Sequence, residues 1–295
     1  MDFFKFNFSV MGGPGELQLY ADSERQANEW YHLVVGELQR IQSKYSRYDV
    51  SSIVSKINDS AGKRFVAIDN ETEVLVNFAD AAHRSTGGLF DVTSGVLRKV
   101  WKFSEAKVPS ESALAEVLQL IGWEKVQLRK GEMKLCKAGM EIDFGGFGKE
   151  YGVDRAVGKL LEAGCKHALL NLAGDLRAVG PTINGTSWRV GIVHPRVKNA
   201  VVATVELTNG ALATSGDYER FFEISGKRYC HILNPKTGHP VQGLQSVSVF
   251  SSSCLVAGSR TTSAMLMGMR AAKQYLATAK SNYIMIDNKG RITAS

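Results

Sequence analysis

The chain is poor in cysteine and proline, with four and six of them in 295 residues. No two cysteines form a Cys-x-x-Cys pair: Cys136, Cys165, Cys230 and Cys254 lie far apart. That spacing excludes a small disulfide scaffold and argues against a zinc site, so they read as reduced thiols. No apolar run approaches the roughly 18 residues that a membrane-spanning helix requires. Repeats, low-complexity tracts and Pro/Gly/Ser linkers are also missing, which leaves no obvious seam between domains. The N-terminal MDFFKFNFSVMGG lacks an apolar h-region and an Ala-x-Ala cleavage site, so the expected location is cytoplasmic.

What is present is ordinary globular composition, 44% apolar and 22% charged, enough for a large core. At about 150 residues per domain the length suits two domains or one large one. A formal net charge of +7 favours a polyanionic partner. The basic residues are scattered, however, with no block of five, which is not the footprint of a nucleic-acid protein. A solvated basic surface, or failing that a phosphate-bearing small ligand, is the reading they support.

Helices and short strands alternate irregularly, which predicts an α+β fold rather than a regular βα series. Ser23 and Gln26 form a capping box ahead of Ala27, Trp30, Val34, Leu38 and Ile41 on one helical face. A second helix is predicted over 71–85, with Val74, Leu75, Phe78 and Ala82 inward and Gly87 and Gly88 closing it. Others are predicted over 110–121 behind Ser110, through Val153, Val157, Leu160 and Leu161 to Gly164, and from 256 past Gly268 to 279. Strands are predicted at 5–10, 15–20, 124–128, 167–172, 187–193, 201–207, 219–224, 228–233, 245–251 and 282–286. The turns Asn184-Gly185, Asn209-Gly210 and Ser225-Gly226 make hairpins dominate the C-terminal half. The expected architecture is an antiparallel sheet with helices on one face, a single unit over 1–295 with a smaller lobe near 85–135.

Five polar stretches carry candidate chemistry. In Asp143-Phe144-Gly145-Gly146-Phe147-Gly148-Lys149-Glu150 an expected strand (140–143) enters, glycines permit close backbone approach and a helix leaves. Such a helix start binds anions, and Lys149 adds a full charge. The spacing is neither a P-loop nor a dinucleotide fingerprint, and the same glycines could serve packing alone. Thr214-Ser215-Gly216-Asp217 reads as a polar turn. Downstream, His231 precedes the rigid turn Asn234-Pro235-Lys236-Thr237-Gly238, which suits a fixed general base as well as a structural histidine. Asn171-Leu172-Ala173-Gly174-Asp175 ends a strand in an acid that serves a turn cap as readily as a site. Ser46-Arg47-Tyr48 and Thr86-Gly87-Gly88-Leu89-Phe90-Asp91 complete the set.

Together and in order these stretches resemble the ApbE family, the FAD:protein FMN transferases. The family pattern runs from Met-Gly-Thr through G-x-F-D-x-T, D-x-G-G-x-x-K-G-x-x-x-D, N-x-G-G-D, T-S-G-D-Y-E-R and H-I-x-x-P-x-T-G to A-D-x-x-x-T. Here it extends from Met11 to Thr262. The resemblance implies a T-fold-related α+β protein with FAD in a cleft. It also implies magnesium-assisted transfer of FMN to a Thr or Ser hydroxyl of an acceptor flavoprotein, with release of AMP. Carried over residue by residue, Lys149 and the turn with Gly145, Gly146 and Gly148 would meet the diphosphate. Asp143, Asp175, Thr214, Ser215, Gly216 and Asp217 would line the pocket, with Met11 and Tyr48 near flavin or adenine. His231 would be the base, and Gly148 and Thr262 would lie at the metal.

Four positions depart from the pattern: Gly13 for Thr, Glu150 for Gly, Ala173 for Gly and, most consequentially, Gly258 for the metal-binding Asp. Glu150 reads either as a replacement ligand or as a helix-start acid favoured by the dipole, the second being preferred. The loss at 258 admits two alternatives to transfer: an FAD-binding protein without activity, and an FAD diphosphatase. On this reading Gly258→Asp is expected to raise metal affinity and turnover.

Overall fold

The computed structural model describes residues 1–295. The chain opens with the hairpin β1 (Asp2–Val10) and β2 (Gly13–Ala21), then α1 (Glu24–Tyr45) and α2 (Ile53–Asp59). A middle block holds β3 (Val66–Ala67), α3 (Asn70–Ser85), α4 (Glu111–Leu118), β4 (Val126–Arg129) and β5 (Glu132–Leu135). Next come α5 (Gly148–Glu162), β6 (Ala168–Leu172), β7 (Asp175–Val179), β8 (Trp188–Val193) and β9 (Val201–Leu207). Then follow β10 (Gly210–Gly216), β11 (Phe221–Ile224), β12 (Lys227–Cys230) and β13 (Leu244–Ser251). The chain closes with α6 (Cys254–Met267), α7 (Met269–Thr278), β14 (Asn282–Asp287) and β15 (Ile292–Ala294).

Eight strands form one antiparallel sheet in the order β1-β2-β6-β7-β10-β13-β14-β15. This is the α+β arrangement the sequence predicts. Helices α1, α5 and α6 cover one face. Leu17, Leu19, Leu38, Val153, Leu160 and Leu170 form the core beneath α1 and α5. The other face carries the β8–β9 hairpin, whose Trp188, Val190 and Ile192 pack on Leu169, Leu176 and Leu212. A three-stranded sheet, β3-β5-β4, packs with α2 and α3 around Met133, Leu135 and Ile57 to form a second layer beside the main sheet. Residues 85–135 contribute α4, β4, β5 and short 3-10 turns to this side of the molecule.

The helix starts follow their caps. Ser23 accepts from the Gln26 amide at 3.2 Å, while Gln26 Oε1 accepts from Asp22 N at 2.9 Å. One inward assignment fails: Val74 is 61% exposed, whereas Leu75 is buried as predicted and Val76 and Ala79 are buried with it on α3. Three local expectations also change. Residues 140–143 have no regular secondary structure and belong to no strand; Asn58 holds them by bonding both N and O of Ile142. Thr214 and Ser215 do not sit on a turn but on β10, in the centre of the sheet between β7 and β13. After Leu172 the chain reverses through Ala173 and Gly174, both at positive φ (51° and 92°), and Asp175 opens β7.

Candidate active site

A cleft of about 1080 Å³ opens where the main sheet, α5 and α6 meet the middle block. That is at the upper limit of the ~300–1,000 Å³ typical of small-molecule pockets, so it suits a ligand of dinucleotide size. Met11, Tyr48, Asp143, Gly145, Gly146 and Lys149 line it from the N-terminal half. Asp175, Thr214, Ser215, Gly216, His231 and Thr262 line it from the C-terminal half. Two predicted residues do not. Gly148 is buried at the start of α5, with its amide donated to Phe144 O. Asp217 turns away, and its carboxylate accepts two bonds from Arg196 at 2.7 and 2.6 Å.

The floor is built by α5, whose start has no side-chain cap, so its first-turn N–H groups and dipole are directed at this end. Lys149 projects from that turn into close ionic contact with Asp175 Oδ2. Burial opposes its charge, but Asp175 and Glu150 outweigh burial and hold its pKa above that of an ordinary lysine. Asp175 is 2% exposed, and burial raises its pKa against the pull of Lys149. Its Oδ1 accepts weakly from the Thr214 amide at 3.4 Å. Ser215 Oγ lies 2.8 Å from Thr261 Oγ1 and 3.3 Å from Thr262 Oγ1, which ties β10 to α6.

His231 follows β12 and leads into a locked turn. Asn234 Oδ1 accepts from Lys236 N at 2.8 Å, Gly238 N donates to Asn234 O at 2.8 Å, and Trp101 Nε1 donates to Gly238 O at 2.7 Å. Part of the imidazole faces solvent in the cleft. The surrounding walls and the charges of Arg220 and Lys149 lower its pKa from the usual 6.5, so it is neutral at pH 7 and able to accept a proton.

Sequence reasoning missed several lining residues. Arg47 bonds Asp143 at 2.8 Å and lies 5.1 Å from the Tyr48 ring centroid. Arg98, Trp101, Lys102 and Phe103 form a basic and aromatic wall, and Phe221 and Arg220 extend it. The interleaving of Arg98, Lys99, Trp101, Lys102 and Phe103 was the available signal.

Glu150 sits in the first turn of α5, where the dipole favours an acid, but it is no solvated surface residue. It is 7% exposed, it lines the cleft, and its Oε2 has no hydrogen-bond partner. Burial and Asp175 raise its pKa, against the pull of Lys149. A Cβ placed on Gly258 would lie 2.5 Å from Glu150 Cγ and 2.6 Å from Oε1, so both positions use one space. Gly258→Asp would therefore require the Glu150 side chain to move out of that space. Likewise, a Cβ at Gly13 would lie 2.8 Å from the Cβ of Ala173. The four departures thus form two touching pairs.

No three His, Cys, Asp or Glu side chains converge as a ready-made metal cage. Magnesium bound through one or two carboxylates and substrate phosphates requires none. The orphaned Glu150 oxygen, Asp175 and the Thr262 hydroxyl supply hard oxygen donors in one cleft, a set that fits such an ion. Five Lys and Arg face five Asp and Glu across the lining, and burial raises the pKa of three of those acids, Glu150, Asp175 and Glu219.

Known proteins share this fold. The profile of the ApbE family matches residues 11–286. An FAD:protein FMN transferase of Vibrio cholerae is 29% identical over 95% of this chain and 83% of its own length. One from Haemophilus influenzae is 30% identical over 78% of this chain and 70% of its own. The crystal structure of an ApbE protein from Thermotoga maritima superposes with a TM-score of 0.92 at 29% identity, covering 100% of this chain and 97% of that one. A flavin transferase ApbE from Vibrio cholerae does so at 0.85 and 26%, covering 100% and 98%. With its fold, its cleft and its ordered motifs in agreement, the chain belongs to the ApbE family.

Proposed function

We propose that this chain is an FAD:protein FMN transferase, acting as one unit over residues 1–295. It binds FAD in the cleft and passes FMN to a Thr or Ser hydroxyl of an acceptor flavoprotein. The observation that carries this reading is the convergence of Lys149, Asp175, Ser215, Thr262 and the uncapped start of α5 in one cleft with a neutral His231. The relatives bearing that activity in their names, matched over most of their length, support it.

The acceptor oxygen attacks the phosphorus on the FMN side of FAD's diphosphate. A new P–O bond forms, the bond to the bridging oxygen breaks, and that oxygen leaves with AMP. The hydroxyl proton passes to His231 and then to solvent. Such a transfer needs charge neutralisation and alignment more than covalent help. Lys149 and the amides around Gly145 and Gly146 would hold phosphate oxygens, and Met11 and Tyr48 would lie against flavin or adenine. Magnesium, held by the cleft carboxylates and Thr262, would neutralise the charge that develops on the diphosphate.

The test is incubation with FAD, with and without magnesium, and with a Thr-bearing acceptor domain. AMP release and in-gel flavin fluorescence after denaturation are the readouts. A magnesium-dependent fluorescent acceptor band is expected. AMP without the band would instead indicate a diphosphatase or a mismatched acceptor, and intact FAD with neither product would indicate a flavin-binding protein.

A further inference from the structure

The departures at 150 and 258 are separated by about a hundred residues of chain, yet they meet in one small volume. Glu150 leaves the first turn of α5 and directs its carboxyl group toward α6, at the level of Gly258. Thr262 stands four residues further along α6, on the same helical face, and lines the same cleft. A side chain at 258 would be forced into Glu150, its Cβ 2.8 Å from Glu150 Cδ. With Glu150 in this conformation, the space beside position 258 is already filled by its carboxyl group.

Glu150 is also poorly explained as packing. An acid with an oxygen buried and unpartnered is costly, and an apolar residue of similar size, such as Met or Leu, would fill the same volume without that cost. Lys149, the cation nearest in sequence, is engaged by Asp175. A cation delivered with the substrate would satisfy the orphaned oxygen.

We propose that Glu150 is the carboxylate that receives the divalent cation in this chain, reaching from α5 into the space that Gly258 leaves open on α6. This deepens the transferase reading, since the cation would serve the same diphosphate. The ligating acid has moved to the neighbouring helix, and Gly258 is the vacancy that accommodates it.

Metal binding can be read without turnover. Mn²⁺ would be titrated against the protein with FAD present and acceptor absent, followed by the free-Mn²⁺ electron paramagnetic resonance signal. FAD affinity would be measured separately by flavin fluorescence in chelator. Glu150→Gln keeps shape and removes charge; Mn²⁺ affinity is expected to fall at least about tenfold, the lower end of losses seen when even the support of a metal ligand is removed. Glu150→Gly should lose as much. Combining Glu150→Gly with Gly258→Asp should return affinity to near the parent value. Unchanged Mn²⁺ affinity in Glu150→Gln, or no Mn²⁺ binding by the parent protein, would overturn the proposal. Failure to bind FAD both in chelator and with Mn²⁺ present would instead remove the transferase reading, so the two failures are told apart.

Discussion

His231 shows how one side chain's surroundings set a testable rate law. Its pKa is lowered by the cleft walls and by Arg220 and Lys149, so the proton-accepting form persists below the usual 6.5. If it takes the acceptor proton, transfer should decline only as pH falls through that lowered value. The acid limb of kcat/KM should therefore have its midpoint below 6.5, the ordinary value for histidine. His231→Gln should cut kcat by roughly 10²–10⁴-fold, the usual worth of general acid–base catalysis, and leave FAD affinity nearly intact. A variant that keeps both rate and acid limb would assign the proton to another group. At this scale the sequence showed each departure singly and hid their meaning. Gly13 with Ala173 and Glu150 with Gly258 are contacts across the fold, and no local pattern reports which distant residues share a volume. Seen as pairs, they are exchanges of bulk between neighbours rather than separate losses.

At the scale of elements, the active end depends on α5 and α6 keeping a fixed offset, because one carries Lys149 and Glu150 and the other Gly258 and Thr262. Asp154 on α5 sets that offset. It accepts from Ser253 Oγ at 2.7 Å and from the amides of Cys254 and Leu255, each at 2.9 Å, thereby capping α6. It also pairs with Arg177 of β7 at 2.5 Å. Asp154→Ala removes a helix cap and several charge-assisted bonds, so a loss of about 2–4 kcal/mol is expected. Urea denaturation should show a lowered midpoint with an unchanged m-value, and an unshifted midpoint would contradict this anchoring role. The helices were legible because their caps and apolar spacing are local, as at Ser23, Ser110 and Gly268. The strands β7 and β10, which carry Asp175, Thr214 and Ser215, were not. Ala211 and Ala213 of β10 are small and wholly buried where α6 packs closely, so the strand lacks the β-branched signal and is fixed by ladders on both sides.

At the scale of the molecule, the cleft walls come from segments spread between Met11 and Leu266, so no single supersecondary unit contains the site. This is why the motif order conveyed the family while the Arg98–Phe103 wall passed unnoticed: its members are placed by docking of the middle block, not by their neighbours in sequence. It also means that a ligand spanning the cleft ties the middle block to the main sheet. Binding to the folded state alone at a hundred times its Kd adds about 2.7 kcal/mol. For a chain of this size that corresponds to a rise in melting temperature of roughly 4 °C. FAD should give the full shift, whereas FMN or AMP, each reaching only part of the walls, should give clearly smaller shifts at the same multiple of the FAD Kd. Removing the aromatic contact with Phe103→Ala should reduce the FAD shift without abolishing it, because the diphosphate floor at Lys149 is built by other elements. If FMN alone reproduces the FAD shift, only the flavin half is gripped, and the far wall of the cleft belongs to the acceptor protein instead.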